Sequence, residues 1–489
     1  MLNIRQLVIG ITFAAVFSMS ARLSVDTDTW WHLRAGKWMV EHGAILQEDI
    51  FSYTRAGSPW HYPGWLVEAP MYWIYRYLGP GGLNLWTAAM ATLAFVLVWK
   101  TLSGGVFLRA FTIILAATVS GVYWAARPYL VTFCLAAVYL WILEAYRWGR
   151  FNRLWLLPLL MAVWANSHGG FAAGFLIWGC YWFAEILQTG LFWLGSQRAK
   201  GIQGNLGEVK LVSQRGLALS ILGASLGLAV CLNPHGPAML WYPFKTVSIG
   251  ALQDYIQEWQ SPNFHSLSVQ PFIWLLLATL GMVGVSQRRL ALTDFLLLSI
   301  FVYLGLMAGR NLALFALVSP MVLTRHAALF TESIVRQLGW SAPENGSFTR
   351  ARRLVNVALL ILALLAAGLK ASMVYPPQVN EEYFRATLPV EAVAFIRETL
   401  PPGRLFNPYN WGGYLLWALP EYPVFIDGRT DLYDDEIINE WLQVARVEPG
   451  WEQVLERYGV NLVLVEADAL LHRTLAANAA WEQIYTDEL

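Results

Sequence analysis

The sequence predicts a polytopic α-helical membrane protein with about eleven transmembrane helices and a small C-terminal extracytoplasmic α/β domain. The chain has 489 residues, of which 57% are hydrophobic and only 13% are charged, whereas roughly 25% of residues are charged in an average soluble domain. Several apolar runs approach the length of a bilayer-spanning helix, about 20 residues. One water-soluble core cannot bury all of these runs, so a membrane protein is predicted.

The composition also excludes several classes of protein. Lys plus Arg equals Asp plus Glu at 33 each, so the chain has no net positive charge to attract a nucleic acid. The high hydrophobic content excludes a disordered chain. Cys134, Cys180 and Cys231 each lie inside an apolar run, so they do not form the disulfide framework of a secreted scaffold and do not have zinc-site spacing.

Eleven apolar segments qualify as membrane spans. The first segment also has features of a signal peptide, because Arg5 precedes its apolar stretch and small residues follow it at 18–21. Cleavage there would leave all the other segments facing the same way. The segments are 6–22, 83–101, 110–126, 129–146, 154–167, 171–189, 216–232, 270–286, 292–309, 311–324 and 354–372.

Basic residues predict the orientation, because cytoplasmic connections are enriched in Lys and Arg. With a cytoplasmic N-terminus, the short outer connections carry only Arg127, Lys245 and Arg310. We therefore expect a multi-pass protein of the plasma (inner) membrane whose C-terminal part is extracytoplasmic. Glu185 and Asp294 lie near cytoplasmic ends of spans and are interpreted as solvated. The sixteen basic residues of the inner connections are Lys100, Arg109, Arg147, Arg150, Arg153, Arg198, Lys200, Lys210, Arg215, Arg288, Arg289, Arg325, Arg336, Arg350, Arg352 and Arg353.

Two domains are expected from this map. Residues 1–375 form the transmembrane domain, and its long first outer loop, 23–82, contains aromatic-rich stretches typical of interfacial helices. Residues 376–489 form the soluble domain, which carries 7 basic and 19 acidic residues.

The soluble domain has a mixed pattern. It predicts helices over 390–399 and 451–458 and short buried strands over 423–427 and 461–465. The glycines of the stretch 410–414 are interpreted as allowing close approach of a helix. Asp427 and the glycine after it are interpreted as capping a turn.

The first outer loop carries acids at the membrane surface. Asp26 and Asp28 follow the first span directly, and His32 comes four residues later. One carboxylate can cap the helix that follows; we assign that role to Asp28, which leaves Asp26 as the freer candidate base. Glu68 is the single acid in the aromatic stretch 60–78.

Other outer ends bring polar groups to the same face. Arg127 lies in the tight turn between the third and fourth spans, Arg310 between the ninth and tenth, and His168 ends the fifth in a glycine turn. Asp254 and Glu258 lie in the outer loop 233–269 and share one face if that stretch is helical. Each group also has a purely structural interpretation: the arginines can extend to lipid phosphates, and the histidine can bond to neighbouring backbone.

This mixture suits transfer of a sugar from a lipid phosphate. The reaction needs a base to activate the acceptor hydroxyl and cations to hold the departing phosphate. Asp26 or Asp28 can supply the base, while Arg127 and Arg310 can grip phosphate oxygens in bidentate fashion. His32, His168, Glu68, Asp254 and Glu258 are further candidates for binding donor or substrate.

Six stretches of the chain resemble the GT-C superfamily of glycosyltransferases that use polyprenyl-phosphate sugars. Within it, the chain is most similar to an uncharacterised bacterial group related to the protein-mannosyltransferase and aminoarabinose-transferase branch. The stretches are 26–33 (DTDTWWHL), 49–54 (DIFSYT), 164–171 (WANSHGGF), 258–262 (EWQSP), 407–414 (NPYNWGGY) and 425–433 (FIDGRTDLY).

The resemblance implies an enzyme that transfers a sugar, with inversion, from a polyprenyl-phosphate donor to an extracytoplasmic hydroxyl of a glycan, lipid or protein. The sequence departs from the family in two places. The mannosyltransferase branch shows Asp-Glu where this chain has Asp26 and Asp28 separated by Thr27, and the turn at Arg127 lacks the second acidic motif of oligosaccharyltransferase-type members. No metal ligand is therefore assigned, and a divalent cation stays an open option.

Two other classes remain open. A non-catalytic scaffold for cell-envelope assembly predicts that Asp26, Asp28, Arg127 and Arg310 are scattered, whereas an enzyme predicts that they face one cavity. A transporter predicts polar groups at mid-bilayer or broken helices in repeated halves.

Overall fold

The computed structural model describes residues 2–23, 26–198, 206–337 and 350–489. The predicted inner loop 196–214, with Lys200, falls partly outside these ranges. The first fourteen helices are α1 (Ile4–Ser20), α2 (Thr27–His42), α3 (Trp65–Trp99), α4 (Val106–Ser120), α5 (Tyr129–Arg147), α6 (Leu156–Ala165), α7 (Ala172–Arg198), α8 (Leu206–Val230), α9 (Tyr242–Val247), α10 (Gly250–Tyr255), α11 (Gln270–Val285), α12 (Leu292–Met307), α13 (Leu312–Gln337) and α14 (Arg350–Val374).

Each of the eleven predicted spans coincides with an apolar helix. Among the described residues, six helices are long and apolar enough to cross a membrane: Trp65–Trp99, Val106–Tyr123, Tyr129–Arg147, Gly169–Leu191, Gly309–Thr331 and Arg350–Val374. The other predicted spans correspond to shorter apolar helices of 10–17 residues. The chain is therefore a helical membrane protein. α5 and α13 lie at the centre of the bundle, since their apolar windows are 78% and 94% buried.

A break in α3 separates the aromatic stretch of the first outer loop from the span that follows it. Gly79 has φ 64° and ψ −168°, a conformation that glycine adopts readily. Pro80 then begins the next helical stretch, because its fixed φ and missing N–H suit a first helical position. The aromatic segment and the apolar span are thus distinct pieces, as the sequence pattern predicts.

Helix α2 begins two residues earlier than expected, at Thr27, and its cap differs from the prediction. Asp26, not Asp28, is the N-cap, and its Oδ1 accepts a hydrogen bond from the Asp28 N–H at 3.0 Å. Asp28 therefore keeps its carboxylate for other partners. The aromatic residues that predicted an interfacial helix are instead buried against the C-terminal segment, with Trp30 and Trp31 each 4% exposed.

The C-terminal segment contains six helices and one two-stranded parallel sheet, in which β1 (Arg404–Phe406) pairs with β2 (Val460–Val463). The helices predicted over 390–399 and 451–458 are present. Of the two predicted strands, 461–465 overlaps β2, whereas 423–427 contributes only a single bridge, between Val424 and Ser52. The helices are α15 (Pro377–Arg385), α16 (Val390–Thr399), α17 (Tyr409–Ala418), α18 (Thr430–Ala445), α19 (Trp451–Tyr458) and α20 (Leu470–Ala476).

The C-terminal segment and the first outer loop share one hydrophobic core, separate from the core of the membrane helices. A glycine permits the close approach, since a Cβ at Gly413 would meet the Thr27 carbonyl oxygen at 2.4 Å. Gly412 allows a similar approach within the C-terminal segment, where a Cβ would meet the Ile426 carbonyl oxygen at 2.1 Å. The two parts therefore lie on the same face of the helix bundle.

A buried ion network fixes this junction. Arg429 donates through Nη1 to Asp49 at 2.6 Å and through Nη2 to Asp427 at 2.7 Å, and all three side chains are fully buried. The Tyr433 hydroxyl donates to the same oxygen of Asp427, Oδ2, at 2.6 Å. Asp427 thus has a structural role, though as an ion-pair partner of Arg429 and not only as a turn cap.

A second buried network lies at the opposite end of the membrane helices. Asp294 is 1% exposed, so the expectation that it is solvated is wrong. It accepts from Arg147 at 2.6 Å and from Arg325, which also donates to Glu144 at 2.5 Å. Two positive and two negative side chains from α5, α12 and α13 satisfy one another there, which makes their burial tolerable. Glu185 is half-buried.

Candidate functional site

One cavity of about 910 Å³ lies between the C-terminal segment and the ends of the membrane helices next to Arg127 and Arg310. Asp26, Asp28, Arg127 and Arg310 all line it. The scaffold alternative predicts scattered side chains, and the structure instead brings the four together. His32, His168 and Glu258 line the same cavity, whose membrane-helix wall includes Leu176, Leu304 and Leu314.

Arg127 connects the acidic side chains of the site. Its guanidinium contacts three carboxylates, with Nε 3.3 Å from Asp26 Oδ2, Nη1 2.7 Å from Asp28 Oδ2 and Nη2 2.9 Å from Glu258 Oε2. The turn that carries Arg127 is held by hydrogen bonds, since the Thr29 hydroxyl donates to the Ala126 carbonyl at 3.1 Å. One rigid, multiply donating side chain thus gathers acids from two outer loops.

Arg310 lies on the other side of Glu258. Its Nη1 is 3.1 Å from Glu258 Oε1, and its guanidinium is 4.3 Å from the centre of the Trp259 ring. Among the described residues, Glu258 is the only ion-pair partner of Arg310. Most of the guanidinium N–H groups of Arg310 are therefore available for a ligand that enters the cavity.

Burial and the two arginines set the charges of the acids. Burial raises the pKa of Asp28 to about 7, although Arg127 opposes the shift, and it raises the pKa of Asp26 as well. For Glu258 burial acts in the same direction, but Arg127 and Arg310 together lower the pKa to about 2. Glu258 is thus an ion at neutral pH, whereas Asp28 is poised to accept or release a proton.

His168 is a neutral group in this setting. Burial, followed by the positive charges of Arg310 and Arg127, lowers the pKa of His168 to about 3. Its Nδ1 accepts a hydrogen bond from the Gly170 N–H at 2.9 Å and lies 3.0 Å from the Thr132 hydroxyl. The ring hydrogen therefore belongs on Nε2. The bond to backbone in the glycine turn, which the sequence suggested, is present, and the ring also lines the cavity.

Glu68 lies behind the cavity wall and contacts His32. Its Oε1 is 2.8 Å from His32 Nδ1, and both side chains are buried. Burial lowers the pKa of His32 well below its ordinary value. The neighbouring Trp31 donates from Nε1 to Asp28 Oδ1 at 3.1 Å. Glu68 thus orients a wall of the site without lining the cavity itself.

Asp254 is not brought into the site. The stretch is not one helix, because α10 ends at Tyr255 and Ile256 is extended, with φ −89° and ψ 110°. Asp254 is exposed and does not line the cavity. The expected shared face of Asp254 and Glu258 is therefore absent.

The C-terminal segment supplies cavity residues that the sequence analysis missed. Tyr409, Asn410, Thr430 and Asp431 line the cavity, and Asp431 accepts from the Tyr242 hydroxyl at 3.2 Å. These residues lie in the stretches 407–414 and 425–433, which carried the family resemblance. Their position in these stretches could have identified them as candidate site residues, but the stretches were given only a structural role.

The side chains of the described residues are not arranged to bind a divalent cation. In the described ranges no group of three or more His, Cys, Asp or Glu side chains is arranged to hold a metal ion. The three clustered acids, Asp26, Asp28 and Glu258, all point to the Arg127 guanidinium instead. No step through a metal is derived from this arrangement.

The fold resembles solved structures of oligosaccharyltransferase from the archaeon Archaeoglobus fulgidus. A complex of the oligosaccharyltransferase AglB with an inhibitory peptide and a dolichol-phosphate aligns with a TM-score of 0.57 at 11% identity, over 94% of this chain and 69% of that one. The apo form gives 0.52 at 13% identity, over 94% and 68%. A form tethered to an acceptor peptide containing the NVT sequon gives 0.56 at 13%, over 94% and 69%.

Comparison of the sequence with protein-family models and with curated proteins gives no match. At 11–13% identity the structural likeness concerns the fold. The chain therefore has a GT-C-like fold, as the resemblance implied, while its place in the bacterial mannosyltransferase and aminoarabinose-transferase branch stays a prediction.

Proposed function

We propose that this protein is a membrane glycosyltransferase. It transfers a sugar from a polyprenyl-phosphate donor to an extracytoplasmic hydroxyl, with inversion at the sugar carbon. The observation that carries the proposal is the convergence of Asp26, Asp28, Arg127 and Arg310 on one cavity at the outer ends of apolar helices. A donor whose tail lies in the bilayer presents its phosphate at this depth.

The two arginines have different roles toward the donor phosphate. Arg310 is the main phosphate ligand, because only Glu258 of the described acids pairs with it. Arg127 already donates to three carboxylates, so it chiefly fixes their positions and adds positive charge. His168 can add a neutral N–H from Nε2. As the bond between sugar carbon and phosphate oxygen breaks, these groups stabilise the negative charge on the departing polyprenyl phosphate.

Asp28 is the preferred base. The acceptor oxygen attacks the sugar carbon opposite the phosphate, its proton passes to a carboxylate, and the new glycosidic bond replaces the bond to phosphate. A base works best when its pKa is near the working pH, and the pKa of Asp28 is about 7. Asp26 is committed to capping α2, so the earlier preference for it is reversed.

The membrane arrangement follows the same proposal. We infer eleven spans, a cytoplasmic N-terminus and an extracytoplasmic C-terminal domain over 376–489, in the plasma membrane. AglB was solved with an inhibitory peptide and a dolichol-phosphate, and the Archaeoglobus fulgidus oligosaccharyltransferase was solved with a tethered acceptor peptide. Both structures support a lipid-phosphate donor and an external acceptor here. The leucines of the membrane-helix wall, Leu176, Leu304 and Leu314, suit the first isoprene units of the donor.

Transfer from defined donors tests the proposal. Purified protein in liposomes is given decaprenyl-phosphate carrying a radiolabelled sugar, with delipidated envelope extract as acceptor. We expect label to leave the lipid phase, and we expect the double variant Asp26→Asn, Asp28→Asn to abolish transfer. Asp254→Asn is the matched control, because that carboxylate is exposed and outside the cavity.

Binding of unlabelled decaprenyl phosphate provides an independent measurement that needs no acceptor. If the wild-type protein neither binds this lipid nor transfers a sugar from it, the proposed function is wrong. If transfer survives in the double variant, only the assignment of the base is wrong.

A further inference from the structure

Asp431 differs from the other acids of the cavity. Asp26, Asp28 and Glu258 all pair with Arg127. Within the described part of the chain, no Lys or Arg nitrogen lies within ion-pair distance of Asp431. Its one side-chain partner there is the Tyr242 hydroxyl, at 3.2 Å from Oδ2. A carboxylate that is held by a neutral group in a cavity keeps lone pairs free for a ligand.

The cavity lining that the C-terminal segment and α9 contribute, which includes Asp431, is polar and aromatic. This wall contains the rings of Tyr409, Trp441 and Tyr242, the Asn410 amide and the Thr430 hydroxyl. Tyr409 and Trp441 lie with their ring centres 5.9 Å apart. All five belong to the C-terminal segment or to α9.

This wall has a defined structure, because hydrogen bonds join two helices that contribute to it. The Asp435 carboxylate accepts from the backbone N–H of Ala251 at 2.7 Å and of Gly250 at 3.3 Å. The start of α10 is therefore bound to α18. Together with the bond from Tyr242 to Asp431, this contact fixes the outer loop 233–269 against the C-terminal segment.

The polar groups of this wall favour a ligand that donates hydrogen bonds over a phosphate. Arg310 suits a phosphate, whereas an unpaired carboxylate at Asp431 repels one. Burial raises the pKa of Asp431 to about 6, so the group gains from hydrogen-bond donors that enter the cavity. A carboxylate can accept from two adjacent hydroxyls, and neighbouring rings offer flat faces to the C–H side of a sugar.

We propose that Asp431 and the aromatic rings of this wall form the acceptor subsite, and that the acceptor is a carbohydrate bound through neighbouring hydroxyls. The inference rests on the proposed glycosyltransferase function and narrows its acceptor from glycan, lipid or protein to glycan. Asp431 acts here as a binding group for the acceptor, while proton removal stays with Asp28.

Binding of simple glycosides tests this subsite. The probes are the methyl glycosides of glucose, galactose, mannose and N-acetylglucosamine, and saturation-transfer NMR detects them on the full-length protein in a detergent without a sugar headgroup. We expect at least one glycoside to bind. Asp431→Asn should weaken that binding about tenfold, the loss typical of removing one hydrogen bond to a charged group.

Two further variants keep the test decisive. Tyr242→Phe removes only the hydroxyl that orients the Asp431 carboxylate, so it should weaken binding less than Asp431→Asn at an unchanged melting temperature. Asp254→Asn should leave binding unchanged. The inference is overturned if the wild-type protein binds no glycoside, or if Asp431→Asn binds glycosides as the wild type does. It is also overturned if a Ser/Thr-containing peptide displaces the bound glycoside whereas the other glycosides do not.

The outcomes also separate this inference from the proposed function. If decaprenyl phosphate binds and the binding depends on Arg310, but glycosides do not bind, the transferase proposal stands and the acceptor class is wrong. If glycosides bind and decaprenyl phosphate does not, the donor assignment fails instead.

Discussion

Arg127 and Glu258 are 131 residues apart in the sequence, and their side chains meet at 2.9 Å between Nη2 and Oε2. This ion pair joins the turn before α5 to the outer loop 233–269. Glu258 in turn holds Arg310 at 3.1 Å. A change at any member of this chain therefore alters the positions of the others, and single substitutions should not act independently.

Replacement of Arg310 should weaken binding of the donor phosphate. Arg310→Gln removes a guanidinium whose N–H groups are mostly free for a ligand, so the affinity for decaprenyl phosphate should fall by about 10- to 100-fold, as expected for one or two charged hydrogen bonds. Isothermal titration in liposomes measures this affinity. Arg385→Gln is the control, because Arg385 is exposed and pairs with Glu391 outside the cavity. Equal affinities for the two variants would contradict the role of Arg310.

The rate of transfer should depend on the charge of Asp28. Burial raises its pKa to about 7, and a base is active only when unprotonated. The rate should therefore fall about tenfold per pH unit below pH 7 and level off above it. Initial rates between pH 5.5 and 8.5, taken at saturating donor, measure the profile. Asp28→Asn should remove both the activity and the pH dependence, and a flat wild-type profile would exclude Asp28 as base.

The positions of the membrane helices were predictable because hydrophobicity alone determines them. Runs such as 129–146 and 354–372 needed no knowledge of their neighbours, and both are helices in the structure. The break at Gly79 was also local, since an aromatic stretch changes there to an apolar one. Such features depend on residues close in sequence.

Features that depend on distant partners were not predictable. Asp294 was expected to be solvated, because nothing near it in sequence shows that Arg325 will lie against it. The cap of α2 was wrongly assigned to Asp28. The choice between the two acids depends on Arg127, whose Nη1 lies 2.7 Å from Asp28 Oδ2, and the sequence near Asp28 does not show this contact. Asp431 was missed since its place in the cavity depends on Tyr242, 189 residues earlier. Single-sequence patterns carry no information on such pairings.

The loop 233–269, which carries Glu258, and the C-terminal segment should be accessible from the same side of the membrane as the first outer loop. A Cβ at Gly428 would lie 2.0 Å from Asp28 Oδ1, so the C-terminal segment and the first outer loop are in direct contact. In a background with Cys134, Cys180 and Cys231 replaced by serine, Asp254→Cys and Glu482→Cys should both react with a membrane-impermeant maleimide on intact cells. Arg350→Cys should react only after permeabilisation. Opposite labelling of Asp254→Cys and Glu482→Cys would contradict the whole site.

The buried network of Glu144, Arg147, Asp294 and Arg325 should contribute strongly to stability. Arg325→Met leaves Glu144 and Asp294 buried with one arginine between them, and removing one partner of a buried ion pair typically costs about 3–5 kcal/mol. We expect a clearly lower melting temperature in detergent, with ligand binding retained in the protein that stays folded. Glu185→Gln is the control, because Glu185 is only half-buried. Similar melting temperatures for the two variants would show that the network contributes little.

Arg429 should hold the C-terminal segment to the first outer loop. Its guanidinium lies between Asp49 and Asp427, and all three side chains are fully buried, so Arg429→Met leaves two buried carboxylates without a cation. Burial alone would raise the pKa of Asp49, but Arg429 overcomes this and lowers it. The stabilisation is therefore present above the ordinary pKa of aspartate, about 3.9, and is lost as the pH falls through the lowered value. Melting temperatures should differ most between wild type and variant near neutral pH and converge at acid pH. Limited proteolysis should cut the variant first between residues 376 and 489, and unchanged protection of that segment would refute its dependence on Arg429.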